Sequence, residues 1–260
     1  MRSCSLKCFG VGDGWPSPDR KHSSFLYRFG KTAILIDCGD GISTSFKASA
    51  LDYNTIDRIF LSHLHCDHVG GFFMLMQSFW LQRRKKRLTV HAPADGIAPI
   101  RQMMEATFVF DELLDFKLAF KPLTHRRPLT VGDVRVTPFL TSHLEGLRRA
   151  HQARHRLAFE AFCFLLEAGQ LRLGHSADIG APEDLAPLLS QPLDLLVCEL
   201  AHCEAEDLFL YLRDRPIKRI VFVHLARRHW ERLAATRQLA RKMLRTVPFT
   251  FARDGEETVL

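Results

Sequence analysis

Short apolar runs recur along the whole chain, and stretches with helical periodicity separate them. Runs rich in valine, isoleucine, leucine and phenylalanine predict buried strands. They lie at 6–11, 24–29, 32–37, 58–61, 88–91, 117–123, 134–140, 161–166, 171–173, 193–197, 219–224 and 249–252. Apolar positions three or four residues apart predict helices at 42–50, 70–87, 94–107, 145–157, 182–189 and 230–245. The pattern predicts a protein in which strands and helices are mixed along the sequence.

The composition fits one globular domain. The chain has 260 residues, of which 47% are hydrophobic, so it can bury a substantial core, and we expect one domain over residues 1–260. The formal charge of +7 is compatible with an anionic or nucleic-acid substrate, although many soluble enzymes are equally basic.

The cysteines and the N-terminus bear on the cellular compartment. Seven cysteines, an odd number with no C-x-x-C pair, favour a reducing, cytoplasmic setting. No apolar run approaches eighteen residues, and the first residues contain no uninterrupted apolar segment. We therefore expect neither export nor membrane insertion.

Four metal-competent side chains follow the predicted strand at 58–61. His63, His65, Asp67 and His68 form an H-x-H-x-D-H pattern that ends just before the apolar helix beginning near Gly70. Alternation along a strand places His63 and His65 on one face, and Asp67 and His68 fall in the turn that opens the helix. The alternative is a solvated, histidine-rich turn. Ligand type and spacing favour a site for two neighbouring metal ions.

This motif resembles the central motif of the metallo-β-lactamase superfamily. The glycine- and proline-rich pattern G-x-G-x-G-x-P-S-x-x-R-x-x-S-S from Gly10 to Ser24, followed by the strand-end sequence I-L-I-D-C-G-D-G at 34–41, is similar to the ribonuclease Z branch. The resemblance implies an α+β fold, the four-layer αββα sandwich in which two mixed sheets are flanked by helices. It spans nearly the whole chain.

The resemblance also implies a complete ligand set. One metal would be held by His63, His65 and His143. The second would be held by Asp67, His68 and His224, with Asp178 bridging both and His175 as a lesser alternative to Asp178. Imidazoles and carboxylates suit zinc, and such mixed sites also accept manganese or iron.

We expect a metal-dependent hydrolase that uses a hydroxide generated at a dinuclear site. A phosphodiesterase is the preferred form of this activity. Asp67 would orient the hydroxide, and Glu199 with His202 would assist the leaving group. Arg228 matches a phosphate-contacting arginine of the ribonuclease Z branch, and Arg227 is the alternative for this role. Cys198 departs from that branch, whose signature has histidine there.

Two other functions stay open on the sequence alone. The same pair of metals attacks carbonyls, so a thioester, lactone or lactam hydrolase is the alternative enzyme. A nucleic-acid-binding module with a vestigial site is the alternative outside enzymology. A homodimer is implied by the resemblance only.

Three further features of the sequence bear on the substrate. Only 35 residues separate His143 from Asp178, so the long tRNA-gripping arm of ribonuclease Z is missing. Cys4 and Cys8 do not reproduce the extra metal site of the phosphoribosyl cyclic phosphodiesterases. The basic run at 83–87 is interpreted either as a solvated helix cap or as a nucleic-acid-binding patch. The basic helix at 145–157 is either a substrate-facing lid for anions or an exposed helix.

Overall fold

The computed structural model describes residues 4–260. Within them the strands form two mixed sheets of seven strands each, in the orders β14-β1-β2-β3-β4-β5-β6 and β13-β12-β11-β10-β9-β8-β7. The chain divides into two compact units, unit 1 with residues 4–124, 131–133 and 253–260, and unit 2 with residues 125–130 and 134–252.

Unit 1 contains a sheet that changes from antiparallel to parallel along its width. Its strands are β1 (Cys4–Gly10), β2 (Ser24–Phe29), β3 (Thr32–Ile36), β4 (Arg58–Phe60), β5 (Leu88–Ala92), β6 (Leu118–Pro122) and β14 (Glu257–Val259). The first hairpin and β14 pair antiparallel, whereas β3 to β6 run parallel. Because parallel strands end at one edge of a sheet, the residues after β3 and β4 lie at the same edge.

Helices pack apolar side chains against this sheet. They are α1 (Ile42–Ala48), α2 (Cys66–Val69), α3 (Phe72–Leu81) and α4 (Ala94–Ala106). Phe46 of α1 and Phe79 of α3 are 0% exposed and meet edge to face at 6.2 Å. This contact joins the two helices in the core of unit 1.

Unit 2 repeats the mixed arrangement. Its sheet contains β7 (Leu129–Val131), β8 (Val134–Thr141), β9 (Ala161–Ala168), β10 (Leu171–His175), β11 (Leu195–Leu200), β12 (Ile220–Leu225) and β13 (Phe249–Phe251). Strands β8 to β10 pair antiparallel, and β10 to β13 are parallel. Its helices are α5 (Glu145–His151), α6 (Ala205–Leu212), α7 (Arg227–Glu231) and α8 (Leu233–Leu244).

The fold class predicted from the sequence is confirmed as α+β, with two mixed sheets flanked by helices. Several boundaries were wrong. The helix expected at 70–87 ends at Leu81, the one at 145–157 ends at His151, and that at 182–189 is two 3₁₀ segments. Strands β7 and β14 and helix α6 were not predicted. Within residues 4–260, no helix combines the length and apolar composition needed to cross a bilayer.

Basic side chains of the run at 83–87 contact neighbouring residues of unit 1. Arg83 and Lys85 pair with Asp115, at 3.4 and 3.0 Å. Arg84 is 0% exposed, donates to the backbone carbonyls of Tyr53 and Ile56, and therefore anchors the loop before β4. The run therefore lies beyond the end of α3, and the interpretation as a solvated helix end is wrong for Arg84, which is buried.

Candidate metal centre

The first cluster of ligands lies in unit 1, directly after β4. His63 and His68 are almost completely buried, and their rings lie 4.1 Å apart between centroids. Nε2 of His63 is 3.1 Å from Nδ1 of His65, and Nε2 of His68 is 3.4 Å from Oδ2 of Asp67. The sequence placed Asp67 and His68 in a turn, and the structure shows that this turn is helix α2. All four predicted side chains of this motif therefore converge.

Asp37 fixes the orientation of the imidazoles. Its Oδ2 accepts hydrogen bonds from Nδ1 of His68 at 2.7 Å and from the hydroxyl of Ser62 at 2.8 Å. Since that hydroxyl donates to Asp37, it accepts from Nδ1 of His63, 3.0 Å away. Both rings then carry the proton on Nδ1, which leaves the Nε2 lone pair of each suited to a metal.

Asp37 occupies a backbone conformation that is uncommon for aspartate. Its φ is +61°, in the left-handed region, and its carboxylate is 0% exposed. Its Oδ1 also accepts the backbone N–H of Ser62 at 2.7 Å. Strain of this kind persists where surrounding contacts impose it, and it is often found at functional sites.

Close backbone packing holds the loop that follows Asp37 against α2. The N–H of Cys38 donates to the carbonyl of His68 at 2.7 Å. A Cβ atom on Gly39 would lie 2.3 Å from the carbonyl oxygen of Asp67, and one on Gly71 would lie 2.2 Å from that of Gly39. Glycine is required at both positions because the two backbones touch.

The second cluster lies in unit 2, at the carboxyl ends of its strands. Asp178, 1% exposed, directs one oxygen at each of two imidazoles. Its Oδ2 lies 3.5 Å from Nε2 of His143, and its Oδ1 lies 3.5 Å from Nε2 of His224. The resemblance implies that one oxygen of Asp178 bridges both metals, whereas in the structure each oxygen faces a different imidazole. His175, the lesser alternative, is a buried residue inside β10.

The second cluster contains two residues with positive φ, and one carboxylate joins two of its loops. Ala177 and His224 have positive φ values of 44° and 49°. Oδ2 of Asp184 accepts the N–H and the hydroxyl of Ser142, both at 2.9 Å, and the N–H of Gly180 at 2.8 Å. Asp184 thereby joins the loop of His143 to the loop of Asp178.

Glu199 and His202 form a pair beside Asp178. Nδ1 of His202 is 3.0 Å from Oε1 of Glu199 and 3.8 Å from Oδ2 of Asp178. Glu199 is 1% exposed, and its oxygens also accept the backbone N–H groups of Ile179, Ala201 and His202. The side chain of His202 is 35% exposed. Glu199 is thus held as a positioning group, and His202 is the member of the pair that solvent and ligands can reach.

Cys198 occupies the position where the ribonuclease Z signature has histidine. Its side chain is 0% exposed within β11. Burial raises the pKa of this thiol well above its ordinary value, and the nearby Glu199 carboxylate raises it further. Because metals bind the thiolate, Cys198 is not suited to be a ligand.

Both candidate phosphate-binding arginines are paired with carboxylates. Nε of Arg227 donates to Glu231 at 2.6 Å, and the guanidinium of Arg228 donates to Glu204 at 3.3 Å. Their side chains are 61% and 51% exposed. Both lie in α7, which follows the strand that carries His224.

The donor atoms of each cluster have the spacing of a metal site. A tetrahedral ion with bonds of about 2.0–2.2 Å holds its ligand atoms roughly 3.3–3.6 Å apart. In unit 1 the separations are 3.1 and 3.4 Å, and in unit 2 both are 3.5 Å. Imidazole nitrogens and carboxylate oxygens are also the donors that zinc, manganese and iron accept. Each of these donor pairs is therefore close to the spacing of two ligands on one divalent ion.

Sequence reasoning missed the residues that position the ligands. Asp37 binds Ser62, which is 25 positions later and directly precedes His63, and Asp184 binds Ser142, which is 42 positions earlier and directly precedes His143. The only local signal for Asp37 is a carboxylate at a strand end before Cys-Gly-Asp-Gly. No sequence signal marks Asp184.

A family model described as anti-Pycsar protein Apyc1 matches residues 4–229. Ribonuclease Z of Bradyrhizobium sp. (strain ORS 278) is 32% identical over 160 residues, which cover 60% of this chain and 53% of that protein. The chain spans about half the length of the curated relatives it matches.

Solved structures share the fold over the full length of the chain. The metallo-β-lactamase fold protein YhfI from Bacillus subtilis is 18% identical, with a TM-score of 0.79 and complete coverage of both chains. The Zn²⁺-bound PqqB from Methylobacterium extorquens is 16% identical, with a TM-score of 0.70, and covers 98% of this chain and 100% of its own.

Proposed function

This chain belongs to the family of the anti-Pycsar protein Apyc1 and is a ribonuclease Z-like member of the metallo-β-lactamase superfamily, and we propose that it is a metal-dependent phosphodiesterase. The observation that supports the proposal is the position of the buried Asp178 carboxylate, 3.5 Å from Nε2 of both His143 and His224, because a carboxylate placed between two imidazoles is able to bridge two metal ions.

The proposed ligand sets follow from the two clusters. His63, His65 and His143 would hold one ion, and Asp67, His68 and His224 would hold the other, with Asp178 serving both. The donor spacings within each unit support this assignment. When bound, a pair of divalent ions would lower the pKa of water towards 7 and withdraw charge from a phosphoryl group. Zinc is the first candidate, and manganese and iron suit the same donors.

The residues around the metals provide proton transfer and orientation. Asp67 is partly exposed and orients the attacking water through its carboxylate. Oε1 of Glu199 accepts a hydrogen bond from Nδ1–H of His202 at 3.0 Å, which fixes the ring. The protonated ring of His202 donates from Nε2 to the departing oxygen, so His202 is the proposed general acid and Glu199 its positioning residue.

Phosphate recognition is assigned to Arg227 and Arg228. Each is an exposed guanidinium in an ion pair with a glutamate. Exposed ion pairs contribute only about 0–1 kcal/mol, so a phosphate can displace either glutamate at little cost. A planar guanidinium binds two phosphate oxygens at once, which a phosphodiester offers and a lactam does not. RNA is a candidate substrate because the curated relatives are named ribonuclease Z.

Activity on model esters tests the proposal. The zinc- and manganese-loaded chain is assayed with bis-p-nitrophenyl phosphate and with panels of thioesters, lactones and lactams. We expect diester cleavage that falls by about 100-fold or more in His202→Ala, the size of a general-acid contribution. In the double variant Arg227→Ala/Arg228→Ala we expect a higher KM for the diester at unchanged metal content. The control is Arg213→Ala, which removes a partly exposed arginine paired with Asp214. Carbonyl ester cleavage without diester cleavage would instead establish the alternative hydrolase.

A further inference from the structure

An open groove in unit 2 lies at the end of the sheet opposite the second ligand cluster. Its volume is about 490 Å³, and its lining comes from Pro192, from 213–218 and from 246–247. These segments precede the parallel strands β11, β12 and β13, whereas His224 lies near the carboxyl end of β12. His224 follows Ile220 by four residues and a strand rises about 3.3 Å per residue, so the groove is more than about 13 Å from this predicted ligand.

Backbone hydrogen bonds fix the shape of the groove. The N–H of Leu193 donates to the carbonyl of Pro216, and the N–H of Lys218 donates to the carbonyl of Leu193, both at 2.9 Å. The N–H of Ile220 donates to the carbonyl of Pro248, also at 2.9 Å. The three lining segments are therefore tied to one another, which limits the conformational entropy lost when a ligand binds.

Exposed basic side chains surround the groove. Nζ of Lys218 is 2.7 Å from Oδ1 of Asp194, and the lysine side chain is 75% exposed. Nε of Arg215 donates to the carbonyl of Tyr211 at 3.2 Å, and its guanidinium lies 4.5 Å from the centre of the Tyr211 ring. Arg245, at the end of α8, is also exposed. Three cations therefore reach solvent around one groove.

Local partners offset only part of this positive charge. Six basic residues lie in the lining or at the end of α8, namely Arg213, Arg215, Lys218, Arg241, Lys242 and Arg245. Asp214 pairs with Arg213 at 3.2 Å and Asp194 pairs with Lys218, which offsets two charges. The C-termini of α6 and α8 each contribute about half a negative charge, so about three positive charges remain. The groove is therefore more basic than the capping of two helices requires.

The lining favours a phosphate backbone over other anionic surfaces. Proteins that bind single-stranded nucleic acid stack bases on aromatic side chains, and none of the described lining residues is aromatic. Membrane-binding surfaces insert apolar side chains, and no large hydrophobic side chain is exposed among the described residues 211–250. Lysine and arginine contacts to phosphate oxygens need neither feature. A double helix fits this chemistry because it presents one negative charge per about 1.7 Å of its axis.

We propose that this groove is a docking site for double-stranded nucleic acid, which it holds through the phosphate backbone without recognising base sequence. Arg215, Lys218 and Arg245 are the contacts, whereas Arg213 stays paired with Asp214. The site lies at the opposite ends of the strands from the proposed unit 2 ligands and does not use the metals. The inference therefore does not rest on the proposed phosphodiesterase activity, and it gives the chain a second, non-catalytic function.

Binding of labelled duplexes tests the inference. Fluorescence anisotropy of the zinc-loaded chain is measured with DNA and RNA duplexes of about 20 base pairs, at about 50–200 mM potassium chloride. We expect binding whose log affinity falls linearly as log salt rises, and the tighter duplex identifies the natural partner. In Arg215→Gln/Lys218→Gln/Arg245→Gln, affinity should fall by about tenfold or more and the salt slope should decrease by about 2–3, close to one for each lost phosphate contact.

A charge-matched control separates the groove from the net charge of the protein. Arg83→Gln/Lys85→Gln/Lys86→Gln removes three charges from unit 1, where aspartates already pair with them, and should keep the parent affinity and slope. Circular dichroism confirms that both triple variants are folded. If the groove variant does not fold, Lys218→Gln alone should lower the slope by about one, since this side chain is 75% exposed.

Several results would overturn the inference. Absence of duplex binding, or an equal loss in both triple variants, would show that the groove is not the contact. Displacement of the duplex by excess dimethyl phosphate at constant ionic strength would place the contact at the metal centre, because a small diester competes only there. Binding of phosphatidylserine vesicles through the same three residues, in place of duplexes, would identify a membrane surface. Intact duplex binding without diester cleavage would count against the proposed function and leave the docking site standing.

Discussion

At the scale of single residues, the carboxylate of Asp37 orients two predicted metal ligands although it is not itself a predicted ligand. It holds Nδ1 of His68 and the hydroxyl of Ser62, which in turn fixes His63. Two imidazoles are therefore set in their metal-binding tautomer by one buried group.

Replacement of Asp37 by asparagine tests this role. The amide cannot accept both hydrogen bonds with the strength of a carboxylate, so we expect zinc affinity to fall by about 10- to 100-fold. Competition with a chromophoric chelator measures the change. Asp40→Asn alters an exposed carboxylate in the same turn and should leave affinity unchanged. Equal affinities in the two variants would show that Asp37 is not required for ligand orientation.

His91 provides a second prediction at this scale, on pH and stability. It is 4% exposed and stacks on Phe60 at 4.7 Å. Burial, aided by Arg58 and Lys121, lowers the pKa of His91 to about 4. Between pH 6.5 and 4 the unfolded chain binds a proton at this position and the folded chain does not, so stability falls as pH falls through that window.

The variant His91→Phe removes this proton and keeps the stacking. Relative to the parent, it should gain on the order of 2–3 kcal/mol between pH 7 and pH 4. Urea unfolding of the two metal-free proteins at a series of pH values measures the difference. A difference in unfolding free energy that does not vary with pH would show that His91 titrates normally in the folded state.

At the scale of elements, the sequence predicted those strands and motif positions that depend on the local pattern of residues. Strand 24–29 was predicted with its exact bounds, and the H-x-H-x-D-H motif follows β4 as expected. Residues 182–185 and 188–190 form two 3₁₀ turns in place of the predicted helix. Periodicity also cannot reveal that the carboxylate of Asp184 binds Ser142 and Gly180. The edge strand β14 was missed because its three residues have no apolar pattern of their own.

The contact of two backbones at Gly39 gives an element-scale prediction. In Gly39→Ala the new Cβ would sit 2.3 Å from the Asp67 carbonyl, so α2 must move. We expect a loss of about 1–3 kcal/mol in stability, a Tm lower by several degrees, and weaker zinc binding. Gly146→Ala in α5 is the control, since a Cβ there meets nothing within 4 Å. Calorimetry and zinc titration measure both effects, and a Gly39→Ala variant as stable as the parent would refute the close contact.

At the scale of the whole molecule, the proposed function requires both units. Unit 1 supplies His63, His65, Asp67 and His68, and unit 2 supplies His143, Asp178 and His224. Each cluster has donor spacings close to those of a metal site. His143, Asp178 and His224 were predicted only because of the resemblance to a known family. Nothing in the local pattern around His143, Asp178 or His224 identifies them as ligands.

The stoichiometry of bound metal tests the central claim most directly. The chain is reconstituted with zinc, desalted, and analysed by plasma mass spectrometry, alone and with Asp178→Ala, while circular dichroism confirms that both are folded. The account predicts two zinc ions per parent chain and one or fewer in Asp178→Ala. One ion or none in the folded parent chain, or two ions retained in the variant, would contradict it.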